Sequence, residues 1–221
     1  MNPYATITFT LRCKTRLHIG GSKETMEIGG SDNPVLKSSA SGMPYVPGSS
    51  LKGKIRSLLE VKYKKFTERG GPCDCGRDDC FVCVMFGCGN AKNTRSPSRL
   101  IFRDAYLKTD PDGNLSHSNR AIAQRVPSFT DEKHELVMDR RRGTAAQAGP
   151  RPMEGVPEGT EFACEIVLRT FDGDTDEKVN EYKARLKEGF DLLQKDYLGG
   201  SGTRGYGKVE ITDLKINGQP F

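Results

Sequence analysis

The apolar positions change period several times along the chain, and each change marks an element. From Tyr4 to Cys13, Tyr4, Thr6 and Thr8 alternate with Ile7, Phe9 and Leu11, the period-two pattern of a strand covered on one face. Glycine and serine then dominate from Gly20 to Ser50. A stretch beyond ~12–15 residues without regular structure is usually functional or disordered. A helical period follows, with Leu51, Ile55, Leu58, Leu59, Lys62 and Phe66 on one side and the Lys62 stem lying along the stripe. Ser49 or Ser50 is placed to cap its first turn. Arg99 to Leu107 predicts a second strand, and the polar, proline-bearing stretch from Thr109 to Gly159 a projecting excursion. Thr160 to Thr170 predicts a third strand, with Phe162, Cys164, Ile166 and Leu168 on one face. From Asp176, Val179, Tyr182, Leu186, Phe190, Leu193 and Tyr197 repeat at three or four, a second helix that Gly199 and Gly200 stop. Lys208 to Ile216 closes with a fourth strand.

The order β-α-β-β-α-β predicts an α+β, ferredoxin-like (RRM-like) fold, the split βαβ arrangement. The expectation is one domain over residues 1–221 with insertions at 20–48, 67–98 and 109–159. Because this fold hosts many functions, the insertions must carry the specificity.

Composition narrows the classes. No apolar stretch approaches the ~20 residues that cross a bilayer, and the first residues lack the charged and apolar regions of a signal peptide. The expectation is a cytoplasmic protein with no membrane partner. Charge is uneven: eleven basic and four acidic residues fall in the first 66 positions, although the whole chain carries only +5. A positive field concentrated in one third of the chain suits a polyanion or, equally, a solvated lysine-rich face. Five of the seven cysteines lie between Cys73 and Cys88, which favours metal ligation over disulfides.

Four constellations carry candidate chemistry. Pro47-Gly48-Ser49-Ser50-Leu51-Lys52-Gly53-Lys54-Ile55-Arg56 joins a helix start, whose N–H groups are free, to three cations. That combination makes an anion site or an ordinary capped helix. Gly199 to Gly207 holds five glycines together with Thr203, Arg204 and Tyr206, more than a turn needs. Glycines there allow close backbone approach, Arg204 supplies charge and Tyr206 a stacking face for RNA. Cys73, Cys75, Cys80 and Cys83 lie within eleven residues and suit one structural Zn²⁺, with Cys88 as a substitute ligand. Cys13 and Cys164 sit on strands as small core residues. Asp32, after Gly29-Gly30-Ser31 and before Asn33-Pro34, reads from its setting alone as a turn former, and His18 as a packed histidine.

Taken in order, His18-Ile19-Gly20-Gly21, Asp32-Asn33-Pro34-Val35, Pro44 to Arg56, Phe86-Gly87, Arg99 to Ala105 and Leu198 to Gly207 resemble the backbone RAMP subunits of type III-A (Csm-type) CRISPR interference complexes. The resemblance spans Tyr4 to about Lys215. It implies a subunit that stacks with copies of itself along a guide RNA, beside other subunits of a Csm-type complex. Target RNA paired to the guide is cut once per subunit, with a divalent cation such as Mg²⁺. Asp32 would be the catalytic aspartate. Ser49, Ser50, Lys52, Lys54 and Arg56, with Gly200, Gly202, Thr203 and Arg204, would hold guide phosphates near His18. The excursion would be a thumb that wedges between bases, with Met138 or Met153 as the wedge and Arg140, in the run Arg140-Arg141-Arg142, touching the RNA backbone. Zinc-binding cysteine insertions before Phe86-Gly87 occur in some members. The alternatives are a non-catalytic RNA-binding scaffold subunit and the Cmr-type backbone subunit.

Overall fold

Alternation along the first strand has the expected consequence: Ile7, Phe9, Leu11 and Cys13 are all buried, facing one layer of helices. The computed structural model describes residues 4–20, 34–90, 92–93, 96–146 and 149–221. The elements are β1 (Tyr4–Cys13), α1 (Gly48–Tyr63), α2 (Phe81–Phe86), β2 (Leu100–Phe102) and β3 (Tyr106–Leu107). After them come α3 (His117–Ala123), β4 (Asp131–Glu135), β5 (Met138–Asp139), β6 (Thr144–Ala145) and β7 (Arg151–Gly155). The chain ends with β8 (Glu161–Arg169), α4 (Asp176–Lys195), β9 (Val209–Ile216) and β10 (Gln219–Pro220). No described helix is long and apolar enough to cross a membrane.

The main sheet runs β10-β9-β1-β8-β2, with β3 also paired to β8, and every pairing is antiparallel. β1 lies against β8 from Tyr4↔Arg169 to Arg12↔Glu161 and against β9 across a register shift between Thr8 and Thr10. Helices α1 and α4 cover one face of this α+β sheet. Leu51, Ile55 and Leu59 of α1 meet Leu186, Phe190 and Leu193 of α4 in one buried cluster, and Phe190 packs on Phe9 at 4.9 Å. Each such side chain contributes about 1.5–3 kcal/mol on full burial. Gly189 lets the helices close up, since a Cβ there would meet Ile55 at 2.6 Å.

Four boundaries differ from the sequence expectation. Neither Ser49 nor Ser50 caps α1: Pro47 stands at the N-cap, no side chain bonds from it, and the Gly48 amide donates to Asp104 Oδ1 at 2.8 Å. Lys64 turns left-handed (φ 52°) and ends α1, so Phe66 lies beyond the helix, exposed. α4 stops at Lys195, before Gly199 is reached. The second strand is split at Arg103–Ala105, because Asp104 leaves the ladder to reach Gly48 while Ala105 pairs with Val46. The excursion carries α3 and two hairpins, β4–β7 and, at its tip, β5–β6.

Candidate functional site

Two motifs 150 residues apart in sequence meet on one surface. Lys54, two turns into α1, places its ammonium 3.4 Å from Asp196 and 3.8 Å from the centre of the Tyr197 ring. That ring underlies Gly202, where a Cβ would overlap it, so only glycine lets the loop lie flat on tyrosine. Gly200 donates to the His18 carbonyl at 2.8 Å, and Gly207 donates to that of Arg16 at 2.8 Å. Gly199 and Gly207 have positive φ (77° and 75°), and a Cβ at either would overlap a backbone carbonyl oxygen. The glycine segment is therefore bolted to the chain just beyond β1, with Gly200 and Thr203 exposed on its outer side. Arg204 leans on Ser201 Oγ (2.6 Å) and Glu135 (3.6 Å), which joins the loop to the excursion.

Lys52 is the cation this surface leaves unpaired among the described residues. It is half-buried, and burial first, then Arg56 and Arg169 nearby, hold its ammonium below the usual lysine range. An anion docking there would relieve that strain. Ser49 is exposed and Ser50 half-buried beside it. Arg56 turns elsewhere: its Nε bonds Glu60 at 2.8 Å and its Nη2 the Cys73 carbonyl at 2.7 Å. Tyr206, expected as a stacking face, is buried at 3% exposure with the Lys133 ammonium 5.1 Å over its ring. Its bulk closes the interior of the loop and leaves the surface to glycines.

The loop that carries Asp32 leaves the body at this same place. Gly20 pairs with Val35, and Leu36 donates to the Ile19 carbonyl at 2.9 Å, so the two legs of the loop are zipped at its base. Buried Glu154 on β7 accepts from the Val35 amide (2.7 Å) and from Lys37 Nζ (2.6 Å). Burial raises the Glu154 carboxyl and the Lys37 hydrogen bond and charge more than offset it, so its pKa lies below the usual range. His18 is buried as expected, with Nδ1 2.8 Å from the Glu154 carbonyl. Asp32 itself lies outside the described residues.

At the tip of the excursion Leu136, Val137 and Met138 are each about half exposed. Met153 is buried, because its place on β7 turns it inward, so it is no wedge candidate. Arg140, Arg141 and Arg142 are exposed on the tip, where Asp139 Oδ1 accepts from the Arg141 and Arg142 amides and fixes the turn.

The sulfurs of Cys73, Cys75, Cys80 and Cys83 all lie within 4.8 Å of one another. Four of the separations are 3.6, 3.8, 3.8 and 3.7 Å. A tetrahedral zinc with Zn–S bonds of ~2.3 Å has S–S edges of about 3.8 Å, so the donor set fits that ion. Main-chain amides of Cys75, Gly76 and Arg77 donate toward the sulfurs of Cys73, Cys83 and Cys75. Burial raises Cys75, but the Arg77 amide and neighbouring thiols bring it down to about 7. Cys88 stands apart and donates to the Asp74 carbonyl, so Cys83 completes the set. Cys13 and Cys164 are buried core thiols.

Comparison with known proteins places this geometry. A family model described as the RAMP superfamily matches residues 10–210. A protein of Methanocaldococcus jannaschii named CRISPR system Cms endoribonuclease Csm3 is 42% identical over 214 residues, covering 95% of this chain and 79% of that one. The chain belongs to the Csm3 family of RAMP proteins. A Streptococcus thermophilus protein of the same name is 38% identical over 216 residues, 96% of this chain and 90% of the relative. Among solved structures, a chain in a crystal structure of the Csm3–Csm4 subcomplex in the type III-A CRISPR-Cas interference complex gives a TM-score of 0.59 at 30% identity. It covers 96% of this chain and 77% of that one. Methanopyrus kandleri Csm3 shares the fold, with a TM-score of 0.60 at 24% identity over 97% of this chain and 78% of that one.

The contacts of four residues escaped the sequence reading: Asp104, which takes the first amide of α1, Glu154, Tyr197 and Glu60. Glu60 left a faint trace, an acid four residues after Arg56 in an otherwise apolar turn. The others act through contacts distant in sequence.

Proposed function

We propose that this chain is the guide-holding backbone subunit of a type III-A CRISPR effector complex and cleaves target RNA paired to that guide. The observation that carries the reading is convergence. Lys54 of α1 meets the Gly199–Gly207 loop through Asp196 and Tyr197, and that loop and the base of the Asp32 loop both adjoin His18, in a chain of the Csm3 family. The β-α-β-β-α-β core serves as an RRM-like palm, with the insertions at 20–48, 67–98 and 109–159 as cleavage loop, cysteine hairpin and thumb. Ser49, Ser50, Lys52 and Lys54, with Gly200, Gly202, Thr203 and Arg204, line the guide's phosphates. Such contacts position a strand without reading its bases, so pairing with the guide selects the target. Copies of the chain stack along the guide, beside other Csm-type subunits.

Leu136, Val137 and Met138 form the apolar tip that displaces a base, with Arg140 on the adjoining backbone. A displaced base lets the ribose 2′-oxygen line up with the neighbouring phosphorus, and orientation of that kind removes several kcal/mol of barrier. The 2′-oxygen attacks, the 5′-oxygen leaves, and the products are a 2′,3′-cyclic phosphate and a 5′-hydroxyl. Asp32 is the carboxylate assigned to this step, either taking the 2′-OH proton or helping to hold a divalent cation. One carboxylate plus phosphate oxygens is an ordinary Mg²⁺ ligand set, and the bound ion would stabilise charge developing on the phosphate. The four cysteines hold a structural Zn²⁺, since four thiolates leave no position open for water.

Asp32→Ala in the complex purified with its guide is expected to bind target as the wild type does and to abolish cutting. Cleavage by that variant at the wild-type rate would leave a scaffold with its nuclease elsewhere.

A further inference from the structure

Arg56 and Glu60 lie one helical turn apart on α1 and aim at the same residue of the cysteine hairpin. Glu60 Oε1 accepts from the Cys73 amide at 2.9 Å, and Arg56 Nη2 donates to the Cys73 carbonyl at 2.7 Å. Arg56 Nε closes the triangle on Glu60 Oε1 at 2.8 Å. Both side chains are largely buried, at 15% and 7% exposure. A buried carboxylate is costly unless bonded on all sides, so a purely local pair of this kind would sit better at the surface. Here the pair reaches a peptide thirteen residues on. Cys73 is also the residue whose sulfur lies 3.6, 3.8 and 3.7 Å from those of Cys75, Cys80 and Cys83.

We propose that Arg56 and Glu60 are positioning residues for the cysteine cluster: by gripping the amide and the carbonyl of Cys73 they hold its sulfur where a metal ion needs it. The inference rests on the reading of the cluster as a zinc site. It assigns Arg56 to the metal centre instead of the guide phosphates. It also makes α1 a shared support. The helix that steadies the cluster through Arg56 and Glu60 presents Lys52 one turn earlier, within the field of Arg56. The small α2, buried at all six residues, packs the far side of the hairpin into the same core.

The test uses the full-length protein, loaded with Co²⁺ and followed by thiolate-to-cobalt absorption, then with Zn²⁺ against a chelator. Partners outside the ligand shell typically change metal affinity by about 10–100-fold, and a loss of that size is expected for Arg56→Met and Glu60→Ala. Glu60→Gln keeps an oxygen for the Cys73 amide and should restore most of the affinity. A mixed-sequence single-stranded RNA, titrated against metal-loaded protein, supplies the second readout. Lys52→Met should weaken that binding, whereas Arg56→Met, which removes only a neighbouring charge, should weaken it far less. Wild-type metal affinity in both Arg56→Met and Glu60→Ala overturns the proposal. So does an RNA defect in loaded Arg56→Met as large as that of Lys52→Met, since it would put Arg56 on a phosphate. If Glu60→Ala does not fold, Arg56→Lys decides, because it keeps the charge and lacks the fork. Weaker cobalt binding supports the proposal and unchanged binding overturns it. A wild-type protein that takes up neither ion defeats the zinc reading itself, a result distinct from variants that bind normally.

Discussion

Gly207 and Gly205 look alike in sequence, yet only one of them is trapped. Gly207 has φ 75° and its missing Cβ would overlap the Leu198 carbonyl oxygen, which its own carbonyl neighbours through the Leu198 amide at 2.8 Å. Gly205 has φ 90° with nothing within 4 Å of a Cβ. A left-handed backbone alone costs about 1–2 kcal/mol for an ordinary residue. Gly205→Ala is therefore expected to lose that much and Gly207→Ala distinctly more, as read from denaturant midpoints. Glycine density marked this segment in the sequence as exceeding a turn. Which glycine meets a carbonyl, and which faces open solvent, depends on β1 and Tyr197 and is not written locally. The same holds for Tyr206: its position in the motif suggested stacking, and packing under Lys133 decided otherwise.

At the scale of elements, the margin of the sheet is tied to the helix layer by one buried ion pair. Arg99, just before β2, binds Asp174, just before α4, through Nε to Oδ2 at 2.8 Å and Nη2 to Oδ1 at 2.9 Å. The two side chains are 9% and 4% exposed, and Phe171 lies under the guanidinium at 4.7 Å. Burial raises the Asp174 carboxyl, and the hydrogen bonds and charge of Arg99 more than offset it, leaving the pKa below the ordinary value. A depressed carboxyl contributes stability that is complete above its unfolded pKa of ~3.9 and is lost as pH falls through the lower folded value. Asp174→Asn should therefore flatten the acid limb of a stability–pH curve below about pH 4. Arg99→Ala should cost about 3–5 kcal/mol near neutral pH, because it strands the carboxylate. Strands β1, β8 and β9 and helix α4 were readable from period alone. The split of the second strand was not, because it is imposed by Asp104 reaching across to Gly48. The cysteine spacing pointed to a metal hairpin, while the choice of Cys83 over Cys88 needed the folded turn.

For the whole molecule, much of the early positive charge is paired off by acids brought in from elsewhere: Lys14, Arg16, Lys37 and Lys62 meet Glu210, Asp131, Glu154 and Glu188. Lys54 and Arg204 are engaged by Asp196 and Glu135, so Lys52 stands as the free cation among the described residues at the start of α1. Each phosphate neutralised on a single strand adds about −0.7 to the slope of log affinity against log salt. Lys52→Met is expected to make that slope shallower by about 0.7 and to weaken binding alike for all RNA sequences, measured by titration across a salt series.

Both margins of the main sheet are spoiled for lateral growth. On one side β9 is bent by Asp213 in the left-handed region (φ 54°), Gln194 takes the Ile211 amide at 2.9 Å, and β10 folds over Lys215 and Ile216. On the other, β2 is three residues long and the edge is broken at Asp104, which turns to the Gly48 amide, before β3 resumes pairing with β8. Unpaired strand borders are where folded chains polymerise, and here neither offers a continuous ladder. Edge-to-edge pairing of two copies is thereby closed off, so whatever a neighbouring chain touches must be side chains and loops instead of a shared ladder.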